Sequence, residues 1–284
     1  MQAQDLAVNL QQLRELPALP QALQDLLQTL ADEQADRRQI IHEVSRDLSL
    51  SCKLLRIANS SFYGLSYQVA SIQDAVLILG LRTLKSLAIA TLMSSQIQQW
   101  LGQREALRDF FEHALQSAVY AQLLAEHISY NRDNAFTAGL LHDIGKLVLA
   151  SEFPESSTQL LHSEPEWQIV PERQEAVLKI SHAELGQQVL QHWHFPHEVQ
   201  VAVAEHHSAL SNSSSDLTRI VIAANIFADL ELTDGERLRQ LQQASLLWQA
   251  LELSEEKAGE ILTRGRVYYA ELLAIFAQHP QVSK

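Results

Sequence analysis

A single cysteine, Cys52, stands in the 284-residue chain, which excludes an intramolecular disulfide and fits a reducing compartment. Glycine is scarce too, with nine residues in all, so sheets joined by tight glycine-rich turns are not expected and helix is. Positive charge is short: 21 lysines and arginines against 34 aspartates and glutamates leave a formal charge of −13. Nucleic-acid and anionic-membrane binding both need a basic footprint, and neither is expected. No apolar run approaches the ~18 residues that a membrane span would need. The N-terminal "MQAQDLAVNLQQLREL" lacks the basic and apolar regions of a signal peptide. A cytoplasmic location is the expectation.

What the chain does have is helical periodicity. Apolar residues make up 46% and charged residues 19%, enough for a packed core and too apolar for disorder. A first helix-like segment runs to Leu16 and is cut by "PALP" at 17–20. From Gln21 to about Ser95, "ALQDLLQTL", "IIHEVSRDLSLSCKLLRIA" and "IQDAVLILGLRTLKSLAIATLM" repeat apolar residues at three- and four-residue spacing. Gly80 marks either a close helix crossing or a turn between two shorter helices. "WLGQRE" (100–105) reads as a boundary, and periodicity resumes over 104–127 and 133–150. The stretch 151–171, with Pro154, Pro165 and Pro171, reads as loop.

Further on, Ser181 and Glu184 form a capping box that opens a helix to about Trp193. Pro196 suits the first position of the next helix, ending near His207, and Asp216 can cap "LTRIVIAANIFADL". Segments near 234–250 and 254–277 are again amphipathic. The fold class expected is all-α, in two helical lobes. The lobes are residues 10–100 and 101–230, followed by a helical extension, 231–284.

Chemistry concentrates in the histidines. There are twelve, and "AGLLHDIGKLVL" places His142 beside Asp143 inside an apolar segment read as one helix. Neutral imidazole with carboxylate is a common ligand set for zinc, iron and manganese. His113, His182, His206 and His207 also fall on expected helices or helix ends, so a pocket between helices would bring them together. Each has a plainer reading as well: the 206–207 pair can interact with a helix C-terminal dipole, and His113 or His182 alone is unremarkable. Lys146 shares the helix face of the doublet, to hold a phosphate or to pair with Asp143. The other seven histidines read as surface or locally bonded.

"TAGLLHDIGKLVL" resembles the motif of the HD superfamily of metal-dependent phosphohydrolases. "LPALPQAL", "VSRDLSLSCKLLRIANSSFYG", "SIQDAVLILGLRTLKSLAIA" and "ISHAELGQQVLQHWHFPHEVQVAVAEHH" narrow the resemblance to the HDOD domain, the HD-related output domain of bacterial signalling proteins, over roughly residues 10–230. The resemblance implies a metal set of His113, His142 and Asp143, with His182, His206 and His207 matching the added histidines of HD-GYP enzymes. It also implies a closing aspartate within "RIVIAANIFADL", where Asn225 stands instead; Asp229 lies one turn later. A carboxamide brings one neutral oxygen where a carboxylate brings charge and two, so the expected divalent transition metal (Fe, Mn or Zn) is weakly held or absent. The implied function is a standalone signalling protein acting on bacterial signalling partners or a nucleotide second messenger. The alternative is an active phosphohydrolase on a nucleotide or cyclic dinucleotide, with Asp143 and Lys146 assisting catalysis. The "GYP" tripeptide of the HD-GYP enzymes is missing. In "GLRTLKSLA", Arg82 and Lys85 are too few cations for a phosphate-tracking face.

Overall fold

The computed structural model describes residues 37–61, 63–101, 105–152, 180–208, 214–231 and 245–277. The segment to Leu16 with its "PALP" break, the 100–105 boundary and the 151–171 loop lie wholly or largely outside them. The described residues are all-helical, with no strand among them. In chain order the helices are α1 (Arg37–Arg46), α2 (Leu48–Ala58), α3 (Ile72–Leu79), α4 (Leu81–Leu101), α5 (Glu105–His127) and α6 (Arg132–Leu141). They continue as α7 (Ile144–Glu152), α8 (His182–His192), α9 (His197–Glu205), α10 (Asp216–Glu231), α11 (Ser245–Ala250) and α12 (Glu255–Ala277).

Short polar side chains set the starts. Asp47 accepts from Leu50 N at 3.0 Å to open α2, and Ser71 accepts from Asp74 N at 3.0 Å to open α3. Gly80, at φ 84°, ends α3 and turns the chain into α4, so of its two sequence readings the turn is the one found. Ser181 accepts from Glu184 N at 3.1 Å, as the capping box requires. Two starts are displaced from expectation. Pro196 precedes α9 as its N-cap instead of occupying its first turn. Ser215, not Asp216, caps α10, accepting from Thr218 N at 3.1 Å; Asp216 is already helical and pairs with Arg219.

Helix α5 is the central element, packed against α6, α10 and α12, while α8 lies between α7 and α9. Buried apolar side chains from Ile40 to Phe276 form one continuous cluster, with Tyr120 and Phe136 among its largest members. Two features hold the outer helices to it. Asn59 donates to Val69 O and accepts from Val69 N, at 2.9 and 2.7 Å, which closes the "NSSFYG" loop. Gly265 of α12 meets the Tyr120 ring so closely that a Cβ there would lie 2.1 Å from Cε1.

Candidate metal centre

The His142–Asp143 doublet is not inside one helix. α6 ends at Leu141 and α7 begins at Ile144, so the doublet forms the break between them. Adjacent residues on an unbroken α-helix point about 100° apart. The break lets both side chains face one pocket, and both are buried, His142 completely and Asp143 to 1% exposure.

Around them the structure assembles every residue of the expected set. His113 comes from α5, His182 from the first turn of α8, and His206 and His207 from the turn that follows α9. Asp143 is the hub. Its Oδ1 lies 3.2 Å from His182 Nε2 and 3.4 Å from His206 Nε2. Its Oδ2 lies 3.3 Å from His142 Nε2, 3.9 Å from His113 Nε2 and 2.7 Å from Lys146 Nζ. His182 Nε2 is a further 3.3 Å from His206 Nε2 and 3.0 Å from His207 Nε2. Of the two readings of Lys146, the pairing with Asp143 is the one seen.

There are too few protons for these contacts. His142 Nδ1 donates to Gly139 O at 2.7 Å, and His206 Nδ1 donates to Val203 O at 2.6 Å. In the neutral rings each Nε2 therefore carries a lone pair, and both lone pairs face the Asp143 carboxylate. His142 Nε2 and Asp143 Oδ1 are buried without a hydrogen-bond partner. Adding protons is opposed by the surroundings. Burial pushes His113 and His182 down to about 3 and His206 to about 4. His207, the exposed member of the cluster, is lowered too, by desolvation and by the neighbouring His206. Burial alone would raise the Asp143 carboxyl, but the Lys146 ammonium beside it holds it well below its ordinary range.

A cation held among these atoms would resolve the conflict. Two groups of these residues can each hold a metal ion: Asp143, His182, His206 and His207, and separately His113, His142 and Asp143. Four ligand atoms ~2.1 Å from a tetrahedral ion stand about 3.4 Å apart. The first group's contacts that involve His182 or Asp143 Oδ1, at 3.0–3.4 Å, match that spacing. The backbone carbonyls of Gly139 and Val203 orient the rings, a role with no signature in the sequence.

The second group is compromised at both ends. His113 Nε2 donates to Asn225 Oδ1 at 2.9 Å, where a closing aspartate would stand. Asp229 reaches the other face of the same ring, with Oδ1 3.8 Å from Nδ1. The third ligand's oxygen, Asp143 Oδ2, is engaged by Lys146. Of the histidines set aside as surface groups, His42, His192, His194 and His197 are exposed, and His127 lies against Glu252 O; His162 and His279 lie outside the described residues.

The HDOD domain family matches residues 16–209, a span that includes the doublet, the later histidines and the Asn59 loop. The chain belongs to the HDOD family. A relative in Treponema pallidum, an uncharacterised protein, is 26% identical over 238 residues, 82% of this chain and 45% of the relative. A Vibrio cholerae protein named cyclic di-GMP phosphodiesterase CdgJ is 28% identical over 128 residues, 43% of this chain and 28% of that protein. This HDOD chain thus spans less than half the length of either. Among solved structures, a candidate phosphohydrolase from Shewanella amazonensis SB2B superposes with a TM-score of 0.77 at 26% identity, covering 94% of this chain and 97% of that one. HDOD domains are related to HD-type phosphohydrolases, and this chain carries a histidine–aspartate cluster that could hold a metal ion. Among the described residues no helix is long and apolar enough to cross a membrane.

Proposed function

We propose that this HDOD protein is a signalling module whose pocket holds one divalent transition-metal ion, on Asp143, His182, His206 and His207, and does not turn over phosphate esters. One observation carries the reading: Asn225 takes up His113 Nε2 at 2.9 Å. Turning the amide over does not free that nitrogen, because the Asn225 NH2 would then donate to its lone pair. The His113–His142–Asp143 group therefore lacks a free third ligand, while the four-residue group retains all its donors. Such an ion, when bound, supplies positive charge and Lewis acidity. The chain's own residues fix the imidazoles through Gly139 and Val203, bury the carboxylate and hold it ionised through Lys146.

In this reading the module acts by contact with other bacterial signalling proteins, or by response to a nucleotide second messenger, in the cytoplasm. Residues 10–100 serve as a partner-facing lobe on the HD-like lobe, 101–230. The relative named as a cyclic di-GMP phosphodiesterase supports the connection to nucleotide signalling.

The second reading is a metal-dependent phosphohydrolase. It is favoured by the three residues His113, His142 and Asp143 converging beside Lys146 Nζ. The variant Asn225→Asp separates the two. Metal content after chelator-free purification and hydrolysis of cyclic di-GMP with added Mn²⁺ or Fe²⁺ are measured for both proteins. The signalling reading expects about one ion and no turnover in the wild type, with a second ion or turnover only in Asn225→Asp. Turnover by the wild type that His142→Ala abolishes would overturn it.

A further inference from the structure

The turn between α3 and α4 leaves apolar groups at the surface. Only Gly80, at φ 84°, separates the two helices, so Leu77 near the end of α3 and Leu81 at the start of α4 stay close along the chain. Leu77 is 62% exposed. Ile78 and Leu81 pack against the core and still remain partly exposed. A lone exposed leucine is ordinary on a folded protein, but the charge beside this one is not.

Arg82 and Lys85 follow on α4, three residues apart and therefore on one face of the helix. Arg82 is exposed and Lys85 half-buried. Among the described residues neither cation is held in an ion pair. Asp133 of α6 feels Arg82 from a distance, but it also serves Arg132. Burial and the neighbouring Arg82 lower the Lys85 ammonium from its ordinary value. The first turn of α4 has no acidic residue to offset them, at the end of a helix where the dipole already disfavours positive charge. The surrounding lobe shares this sign. Residues 37–101 carry seven lysines and arginines and three aspartates and glutamates, in a chain with 21 against 34.

Taking the signalling reading, we infer that the α3–α4 turn docks an acidic segment of a partner protein, with an apolar side chain of the partner on Leu77 and its carboxylates at Arg82 and Lys85. Those carboxylates relieve the repulsion between the two cations and meet the positive start of α4. A second copy of this chain fits poorly, because a two-fold contact across the face sets Arg82 and Lys85 against their own counterparts. A nucleic acid or an anionic membrane meets the field of the whole chain, at −13, and needs a broader basic footprint. A short acidic segment needs only the local face, within the ~8–10 Å over which exposed charges act at moderate salt.

Fluorescence anisotropy of the full chain tests the docking site, with a labelled amphipathic peptide of about 18 residues that carries leucine on one face and glutamate on the other. The glutamate peptide binds saturably at micromolar concentration; the same peptide with lysine for glutamate, or serine for leucine, does not. Leu77→Ser and Arg82→Glu each weaken binding tenfold or more, and both positions are exposed, so neither variant disturbs the core. Added salt slows association, whereas Leu77→Ser speeds dissociation. Absence of saturable binding at millimolar peptide overturns the site, as does equal binding of the lysine peptide or wild-type affinity in both variants. Self-association of the wild type, or its pelleting with phosphatidylserine vesicles, that Leu77→Ser abolishes would give the face to a second copy or to a lipid surface and overturn the partner. Turnover of cyclic di-GMP, read separately, bears on the histidine pocket alone, so failure of the docking site is told apart from failure of the signalling reading.

Discussion

Gly145 of α7 and His182 of α8 meet backbone to backbone: a Cβ on Gly145 would lie 1.9 Å from the His182 carbonyl oxygen and 2.9 Å from Gly186 N. This crossing carries His182 to Asp143, two residues before Gly145. A neighbouring backbone atom cannot rotate away as a side chain would, so any side chain at 145 must push the helices apart.

Gly145→Ala is therefore expected to cost about 1–3 kcal/mol, the usual range for overpacking, read as a lower midpoint in urea unfolding. It also separates His182 from Asp143, so bound transition metal falls in the same variant. A protein that keeps both its midpoint and its metal would show that α7 and α8 do not meet this way.

Metal content discriminates the two ligand groups. Asp143 belongs to both, His207 only to the four-residue group and His113 only to the other. Asp143→Asn should strip the protein of metal and His207→Ala should remove most of it. His113→Ala should leave it close to the wild-type level, because its nitrogen is engaged by Asn225. Elemental analysis of the three purified variants checks the order.

Lys146 is the cation the chain itself supplies to Asp143, at 2.7 Å. Its side chain is 12% exposed and that of Asp143 is 2% exposed, so removing the ammonium strands a buried carboxylate, at a cost of about 3 kcal/mol. In Lys146→Gln the metal-free protein should melt well below the wild type, and added Zn²⁺ or Mn²⁺ should restore more of the lost stability than the same ion adds to the wild type. Equal metal-induced shifts would show that the ammonium and the ion do not serve the same carboxylate.

Acid should unfold the metal-free protein early. The folded-state values of His113, His182 and His206 lie at about 3, 3 and 4, against ~6.5 in an unfolded chain. Between those values the unfolded chain takes up protons that the folded one refuses, so stability is full above pH 6.5 and falls as pH drops towards 4. Each group contributes a slope of about 1.4 kcal/mol per pH unit. Urea midpoints of chelator-treated protein at pH 7, 6 and 5 measure it; a flat series would mean that these histidines titrate in the folded protein as they do in the unfolded chain.

Much of this protein was legible in its residues. The scarcity of glycine and the three- and four-residue apolar spacing foretold helices, and Ser181–Glu184 foretold a start, because capping and amphipathicity are local properties carried by neighbours in the chain. The resemblance of the doublet and the later histidines to a known motif identified the members of the cluster and the asparagine at 225. Tertiary structure alone decided the rest. The break at His142–Asp143, concealed in an unbroken apolar run, arises where α6 and α7 pack separately. Which nitrogen of each histidine faces inward depends on carbonyls such as Val203 O. Asn225 engaging His113, and the arrival of His182 and His206 at Asp143, depend on contacts between residues far apart in sequence. Composition and periodicity carry no record of such distances, since only the folded packing sets which side chains meet and in what orientation.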